Sequence, residues 1–136
     1  ISEVKTDQYL DELIDTLEEA ICPDDVKIER QIESFNIPAD EAINIGLLIN
    51  ELCTNAIKHA FPAKGNEGLI LVSVNQQVNT VKIVVEDNGV GMKEEPGKKS
   101  FGMNLIRSIV YSLKAELSIT SENGAMVQVI IPLLNE

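Results

Sequence analysis

Three stretches of this 136-residue chain hold residue types that could do chemistry together. The first is ELCTNAIKHAF, Glu51 to Phe61, which follows the nearly unbroken apolar run AINIGLLIN. The run predicts a buried helix. Yet Glu51, Asn55 and Lys58 are spaced i, i+4, i+7 and share one face, with His59, the sole histidine, beside them. Asn44, one heptad before Glu51, roughly continues the stripe. Polar groups buried without partners cost about 1–3 kcal/mol each, so the question is what these are paired with. An amide oxygen is a hard ligand suited to Mg²⁺, and a nearby ammonium neutralises phosphate charge. Taken alone, such a stripe is the ordinary solvated face of a helix.

The second stretch is EDNGVGM. Asp87 closes an apolar strand, and Gly89 and Gly91 follow at DxGxG spacing. A carboxylate at a strand end can accept a hydrogen bond from an exocyclic amine, and glycines permit positive φ and close approach of a ligand to the backbone. Alone, this is a glycine turn with an aspartate as turn former. The third is KKSFGMNL. Gly102 stands at the start of a helical pattern, with Leu105 three residues on. Lys98 and Lys99 precede it, and Ser100 could cap the helix. Free N–H groups and partial positive charge at a helix N-terminus attract phosphate. Alone, it is a loop-to-helix junction.

The elements that must carry these stretches follow from periodicity. Leu10, Leu13, Ile14, Leu17 and Ile21 fall at helical spacing within residues 7–21, and Pro23 should stop that helix. Residues 26–32, VKIERQI, alternate as a strand. Pro38 and then Asp40 as N-cap open a second helix to about Ala60, ended by Pro62 and Gly65. Residues 69–75 and 81–87 read as an antiparallel pair around QQVNT, and 88–102 as a loop. A third helix covers 103–115, with Leu105, Ile109 and Leu113 among its apolar positions. ELSITS and AMVQVIIP close the chain as two strands around Asn123–Gly124. The expectation is an α+β fold: a two-layer sandwich with a mixed, mostly antiparallel sheet covered on one face by helices.

One domain of this length can bury a real core. A net charge of −11 argues against nucleic acid or an anionic membrane as partner. Cys22 and Cys53 are far apart and lack CxxC spacing, so neither a zinc site nor a disulfide framework is expected, and a reducing, cytoplasmic setting is. No apolar run approaches a membrane span. The start at Ile1 suggests a piece of a longer protein, which leaves a membrane anchor elsewhere open.

In order, ExxxN, DxGxG and GxxL each fall on the secondary structure they need. Together they resemble the ATP-binding catalytic domain of a sensor histidine kinase, in the superfamily shared with type II topoisomerase B subunits, a heat-shock chaperone and mismatch-repair ATPases. INELCTNAIKHAF resembles the N box, DNGVGM the G1 box, SFGMNLI the G2 box, and NGAMVQVIIP the closing strand pair. The likeness covers about residues 38–132, and the lead-in resembles the subfamily with an NELxTNAxKHAF type of N box. It implies that Asn55 binds Mg²⁺ bridging the phosphates of ATP. Glu51 is then the general base or the residue that orients the site, Lys58 touches phosphate, and His59 lies beside the nucleotide. Asp87 reads adenine N6, Gly89 and Gly91 start a short ATP lid, and Met92 packs on the base. Lys98, Lys99, Ser100, Gly102 and Leu105 belong to the phosphate-holding side. Residues 1–22 are expected as the end of, or link from, a dimerisation region, and 23–136 as the catalytic domain.

Some features depart from the family pattern. The glycine–threonine pair usual before the last strand is Gly124–Ala125, so a hydroxyl is missing. No F box is visible, and there is no tryptophan. The only histidine is His59, and the resemblance implies that the phosphoacceptor histidine lies on an upstream dimerisation domain of a homodimeric protein, with a response regulator downstream. The alternatives are a serine kinase of the anti-sigma type and a degenerate, non-catalytic interaction module.

Overall fold

The computed structural model describes residues 2–61, 67–90, 101–121 and 123–133, with the backbone alone at 101 and 102. The order is β1 (Glu3–Lys5), α1 (Thr6–Ile21), β2 (Val26–Ile32), β3 (Asn36–Pro38), α2 (Ala39–His59), β4 (Gly68–Gln77), β5 (Thr80–Asp87), α3 (Phe101–Ser112), β6 (Glu116–Thr120) and β7 (Met126–Pro132). Five strands form one sheet in the order β2-β4-β5-β7-β6, while β1 pairs only with β3. Strand β2 runs parallel to β4, and the other pairs of the sheet are antiparallel. Period-2 alternation puts Ile70, Val72, Val74, Val81, Ile83, Val85, Val127, Val129 and Ile131 on the buried face. They meet Leu10, Ile14 and Leu17 of α1, Ile45, Leu48, Ile49 and Leu52 of α2, and Ile106, Ile109 and Val110 of α3 in one core. This is the expected α+β sandwich with helices on one face of the sheet.

Helix α1 shares that core. Where it packs on α2, a Cβ on Gly46 would lie 2.9 Å from Leu13 Cδ1 and 3.1 Å from the Tyr9 ring. Glycine therefore lets the two helices touch. Arg30 on β2 ties α1 to the sheet edge: its guanidinium donates to the Asp11 carbonyl at 3.2 Å, to Asp15 Oδ1 at 2.6 Å and to Glu18 Oε1. Hydrogen bonding and the charges of Asp15, Glu18 and Asp11 outweigh partial desolvation and raise its pKa, so it stays charged. Thr6, fully buried, donates its hydroxyl to the Glu33 carbonyl at 2.6 Å and accepts from Phe35 N–H at 3.1 Å. Both thiols are free. Burial pushes Cys53 up to about 12, and Cys22 is raised by burial and by Glu18 and Asp25, so neither is activated.

Several boundaries differ from the periodicity-based expectation. Asp40 is not the N-cap. Pro38 occupies that position without a side-chain cap, and Asp40 lies in the first turn with Glu41, where acids suit the helix dipole. The N–H of Ala39 is satisfied by the Ser2 carbonyl at 3.1 Å, a partner remote in sequence. Helix α2 ends at His59, while Pro62 and Gly65 lie outside the described residues. Strand β4 runs on to Gln77 because Asn79, at φ 61, accepts a left-handed conformation and allows a two-residue turn. Helix α3 starts at Phe101 and stops at Ser112 rather than 115. Lys114 takes φ 55, Ala115 N–H bonds the Val110 carbonyl at 2.9 Å, and Lys114 N–H bonds that of Tyr111 at 3.1 Å. This is a Schellman termination with lysine where glycine is usual.

Candidate functional site

The second half of α2 supplies one wall. Leu48, Ile49, Leu52, Cys53 and Ala56 are buried in the core, which turns Glu51 and Asn55 to half-buried positions and leaves Lys58 and His59 exposed in the last turn. Asn55 is the anomalous member. Its Nδ2 is shut off from solvent, and no partner for it exists among the described residues. A carboxamide can present either end by rotating about χ2, so the buried atom is a waiting donor or acceptor. Among the described residues no three His, Cys, Asp or Glu side chains converge as a metal cluster. The donor set present thus suits an ion that takes one amide oxygen and fills its other positions with water and ligand oxygens, which is the habit of Mg²⁺.

The end of β5 supplies the facing wall. Asp87 is half-buried. Its Oδ1 accepts from Gly89 N–H at 2.9 Å and from Ala125 N–H at 3.3 Å, and its own N–H donates to the Ala125 carbonyl at 2.9 Å. Among the described residues Oδ2 has no partner, which leaves an acceptor for a ligand. Gly124, at φ +99, lies so close that a Cβ would stand 2.0 Å from the Asp87 carbonyl oxygen. The β6–β7 turn therefore grips Asp87 by backbone alone, and Ala125 contributes its N–H without needing a side-chain hydroxyl.

The end of α2 is bonded to the loop after β5. Val90 N–H donates to the Ala60 carbonyl at 2.9 Å, just past the end of α2. A Cβ on Gly89 would meet that carbonyl oxygen at 2.2 Å and the Ala60 Cβ at 2.5 Å. Gly89 does not take a positive φ. Its lack of a side chain is required by the close approach of Ala60 rather than by backbone torsion. Phe61 next packs over the start of β4, 3.0 Å from where a Cβ on Gly68 would be. Sequence reasoning did not single out Ala60, which carries no chemical label. The Ala125 N–H was likewise invisible behind an apolar side chain.

The third stretch is partly in view. Gly102 lies in the first turn of α3, and Leu105 is half-buried against the core. Gly91, Met92, Lys98, Lys99 and Ser100 lie outside the described residues. An apolar cavity of about 140 Å³ lies between Glu41 and Ile45 of α2, Leu113 after α3, and Ile131 at the end of β7. It sits near the opposite end of α2, about 20 Å along the helix from Asn55 at 1.5 Å per residue, so it is not part of this site.

Comparison with known proteins bears on the family and the fold. Residues 40–135 match the family described as histidine kinase-, DNA gyrase B-, and HSP90-like ATPase. The chain is 33% identical over 112 residues to blue-light-activated histidine kinase 2 of Erythrobacter litoralis (strain HTCC2594), covering 79% of this chain and 32% of that protein. It thus spans about a third of the relative's length. The structure superposes on the histidine kinase domain from the Erythrobacter litoralis EL346 blue-light activated histidine kinase with a TM-score of 0.86 at 28% identity, covering 96% of this chain and 62% of that one. The catalytic domain of histidine kinase ThkA shares the fold, with a TM-score of 0.77 at 21% identity over 99% and 98% of the two chains. Among the described residues no helix is long and apolar enough to cross a membrane.

Proposed function

The chain belongs to the histidine kinase-, DNA gyrase B-, and HSP90-like ATPase family, and from that premise we propose that it binds Mg²⁺-ATP and presents the γ-phosphate to a histidine carried by another, helical domain. The observation that carries the reading is the buried amide of Asn55, without a partner among the described residues, on a helix whose end is bonded to the loop bearing Asp87. In this reading Asn55 offers its amide oxygen to Mg²⁺, and Lys58 offsets phosphate charge. Asp87, held by Gly89 and Ala125 through Oδ1, accepts the adenine amino group through its other oxygen. Glu51, one turn before Asn55, orients or deprotonates the incoming imidazole. His59 flanks the nucleotide, and the first turn of α3, from Gly102, faces phosphate with its free N–H groups. Gly91 and Met92, with Lys98, Lys99 and Ser100, complete the lid side, and Leu105 seats α3.

Bound Mg²⁺ supplies charge neutralisation across the phosphates. The protein's share of phosphoryl transfer is positioning and electrostatics rather than covalent chemistry. The single histidine is His59, so the acceptor comes from a partner segment. A homodimer with an upstream phosphoacceptor helix pair and a downstream response regulator fits that need. Calorimetric titration of the chain with a non-hydrolysable ATP analogue, with and without Mg²⁺, tests the reading. Binding that requires adenine and strengthens with Mg²⁺ is expected. No binding at millimolar analogue overturns it.

A further inference from the structure

Asn88 stands between Asp87 and Gly89, yet its side chain bonds in another direction. Its Oδ1 accepts from Leu69 N–H at 2.8 Å, its Nδ2 donates to the Glu67 carbonyl at 3.4 Å, and its backbone N–H donates to the Leu69 carbonyl at 3.2 Å. Regular pairing of β4 with β5 stops at Ile70 and Asp87. Beyond it, the carboxamide does the work of a strand backbone and extends the ladder by two residues. The anchor it grips is fixed, because Gly68 N–H donates to the Asp25 carbonyl at 2.7 Å and Phe61 packs over Gly68.

The short loop 87–90 is therefore bonded on three sides. Asn88 ties it to β4, the Asp87 carboxylate ties it to the β6–β7 turn, and Val90 N–H ties it to the end of α2. Each tie removes a rotation that would swing the Asp87 carboxylate. Without the Asn88 carboxamide, only the backbone N–H of residue 88 still holds the loop to β4, and the peptides on either side of it are freer to turn.

We propose that Asn88 is a positioning residue of the nucleotide site: by bonding Leu69 and Glu67 it fixes the aim of the Asp87 carboxylate and the seating of Gly89 against Ala60. It acts through Asp87 and not by touching the nucleotide. The inference rests on the reading of this site as a nucleotide site, and the wild-type measurement separates the failure of one from the failure of the other. Because Asn88 is exposed, its hydrogen bonds contribute modestly to stability, so affinity and stability should part company.

The experiment measures ADP affinity by calorimetry for the wild type, Asn88→Ala and Asn88→Asp at a temperature where circular dichroism shows each folded. Amide NMR spectra are recorded in parallel. Asn88→Ala is expected to weaken ADP by about five- to tenfold through lost preorganisation and to shift the Gly89 and Ala125 amide resonances. Asn88→Asp, which keeps the acceptor for Leu69 N–H, is expected to stay within about threefold of the wild type. If Asn88→Ala does not hold its fold, Asn88→Ser carries the same expectation, since its short hydroxyl cannot span Leu69 and Glu67. An ADP affinity for the alanine or serine variant within about twofold of the wild type, whatever its Tm, overturns the proposal and leaves Asn88 merely structural. A wild type that binds no ADP overturns the site reading, and this inference falls with it.

Discussion

Replacing Gly89 with alanine drives a methyl carbon into the joint between the two walls of the site. The added Cβ would stand 2.2 Å from the Ala60 carbonyl oxygen and 2.5 Å from the Ala60 Cβ. The oxygen lies more than an ångström inside ordinary van der Waals contact. The obstacle is mainly backbone at the end of a helix anchored in the core by Leu48, Ile49, Leu52, Cys53 and Ala56, so no side chain can swing aside. Relief requires the end of α2 and the end of β5 to separate, which also breaks the 2.9 Å bond from Val90 N–H to Ala60. Overpacking of this kind costs about 1–3 kcal/mol, and the lost hydrogen bond adds about 0.5–1.5 kcal/mol. A total of about 1.5–4.5 kcal/mol stays within the usual stability of a domain, so the variant should fold, with Tm lowered by roughly 5–16 °C. Urea denaturation gives the stability, and ADP calorimetry on the folded variant gives the affinity, which should fall because Asp87 moves with its loop. Gly68→Ala is the internal control. Its Cβ meets the Phe61 ring and Val26 Cγ2 at 3.0 Å, side-chain atoms that can give, so about 1 kcal/mol or less is expected. A Gly89→Ala destabilisation below about 0.5 kcal/mol, or one no larger than that of Gly68→Ala, refutes the Ala60 contact as the reason for glycine.

Further outcomes follow from single residues. Asn55→Ala should abolish the Mg²⁺ dependence of ATP-analogue binding while leaving stability within about 1 kcal/mol, because it removes a buried amide that has no partner among the described residues, along with some packing; urea denaturation and calorimetry check both halves, and an unfolded variant or normal binding contradicts the assignment. Asp87→Asn can keep Oδ1 accepting from Gly89 and Ala125, so it should weaken ADP by about tenfold or more with little change in Tm; unchanged affinity removes Asp87 from adenine recognition. Lys114→Gly should stabilise the chain by up to about 1 kcal/mol by relieving a left-handed lysine, measured as a higher urea midpoint. Burial raises the carboxyl of Glu41 above its ordinary 4.5. Both states are protonated below 4.5, and ionisation favours the unfolded chain as pH rises through the folded value. Glu41→Gln should therefore gain stability relative to the wild type at neutral pH and lose that gain below about 4.5, as read from denaturation midpoints across pH.

What the sequence determined by itself was local. Helical spacing from Leu10 to Ile21, alternation over 26–32, the apolar run before Glu51 and the β-rich stretches 69–75 and 81–87 are short-range signals, and they marked these helices and strands. The box residues were readable because their types and spacings survive without knowledge of the fold. The tertiary structure alone decided what lies far apart in the chain. It set the parallel pairing of β2 with β4, the β1–β3 pair, and the packing of α1 into the same core through Gly46 and Arg30. It also gave Asp40 a different role, because the helix start finds its partner in Ser2. At the site, the spacing DxGxG pointed to Gly89, but the cause of that glycine is the carbonyl of Ala60. The grip on Asp87 comes from the backbone of Gly124 and Ala125. Backbone groups are the same in every residue, so no residue type announces which of them will meet. That information exists only once the sheet has brought positions 60, 87 and 125 to one place.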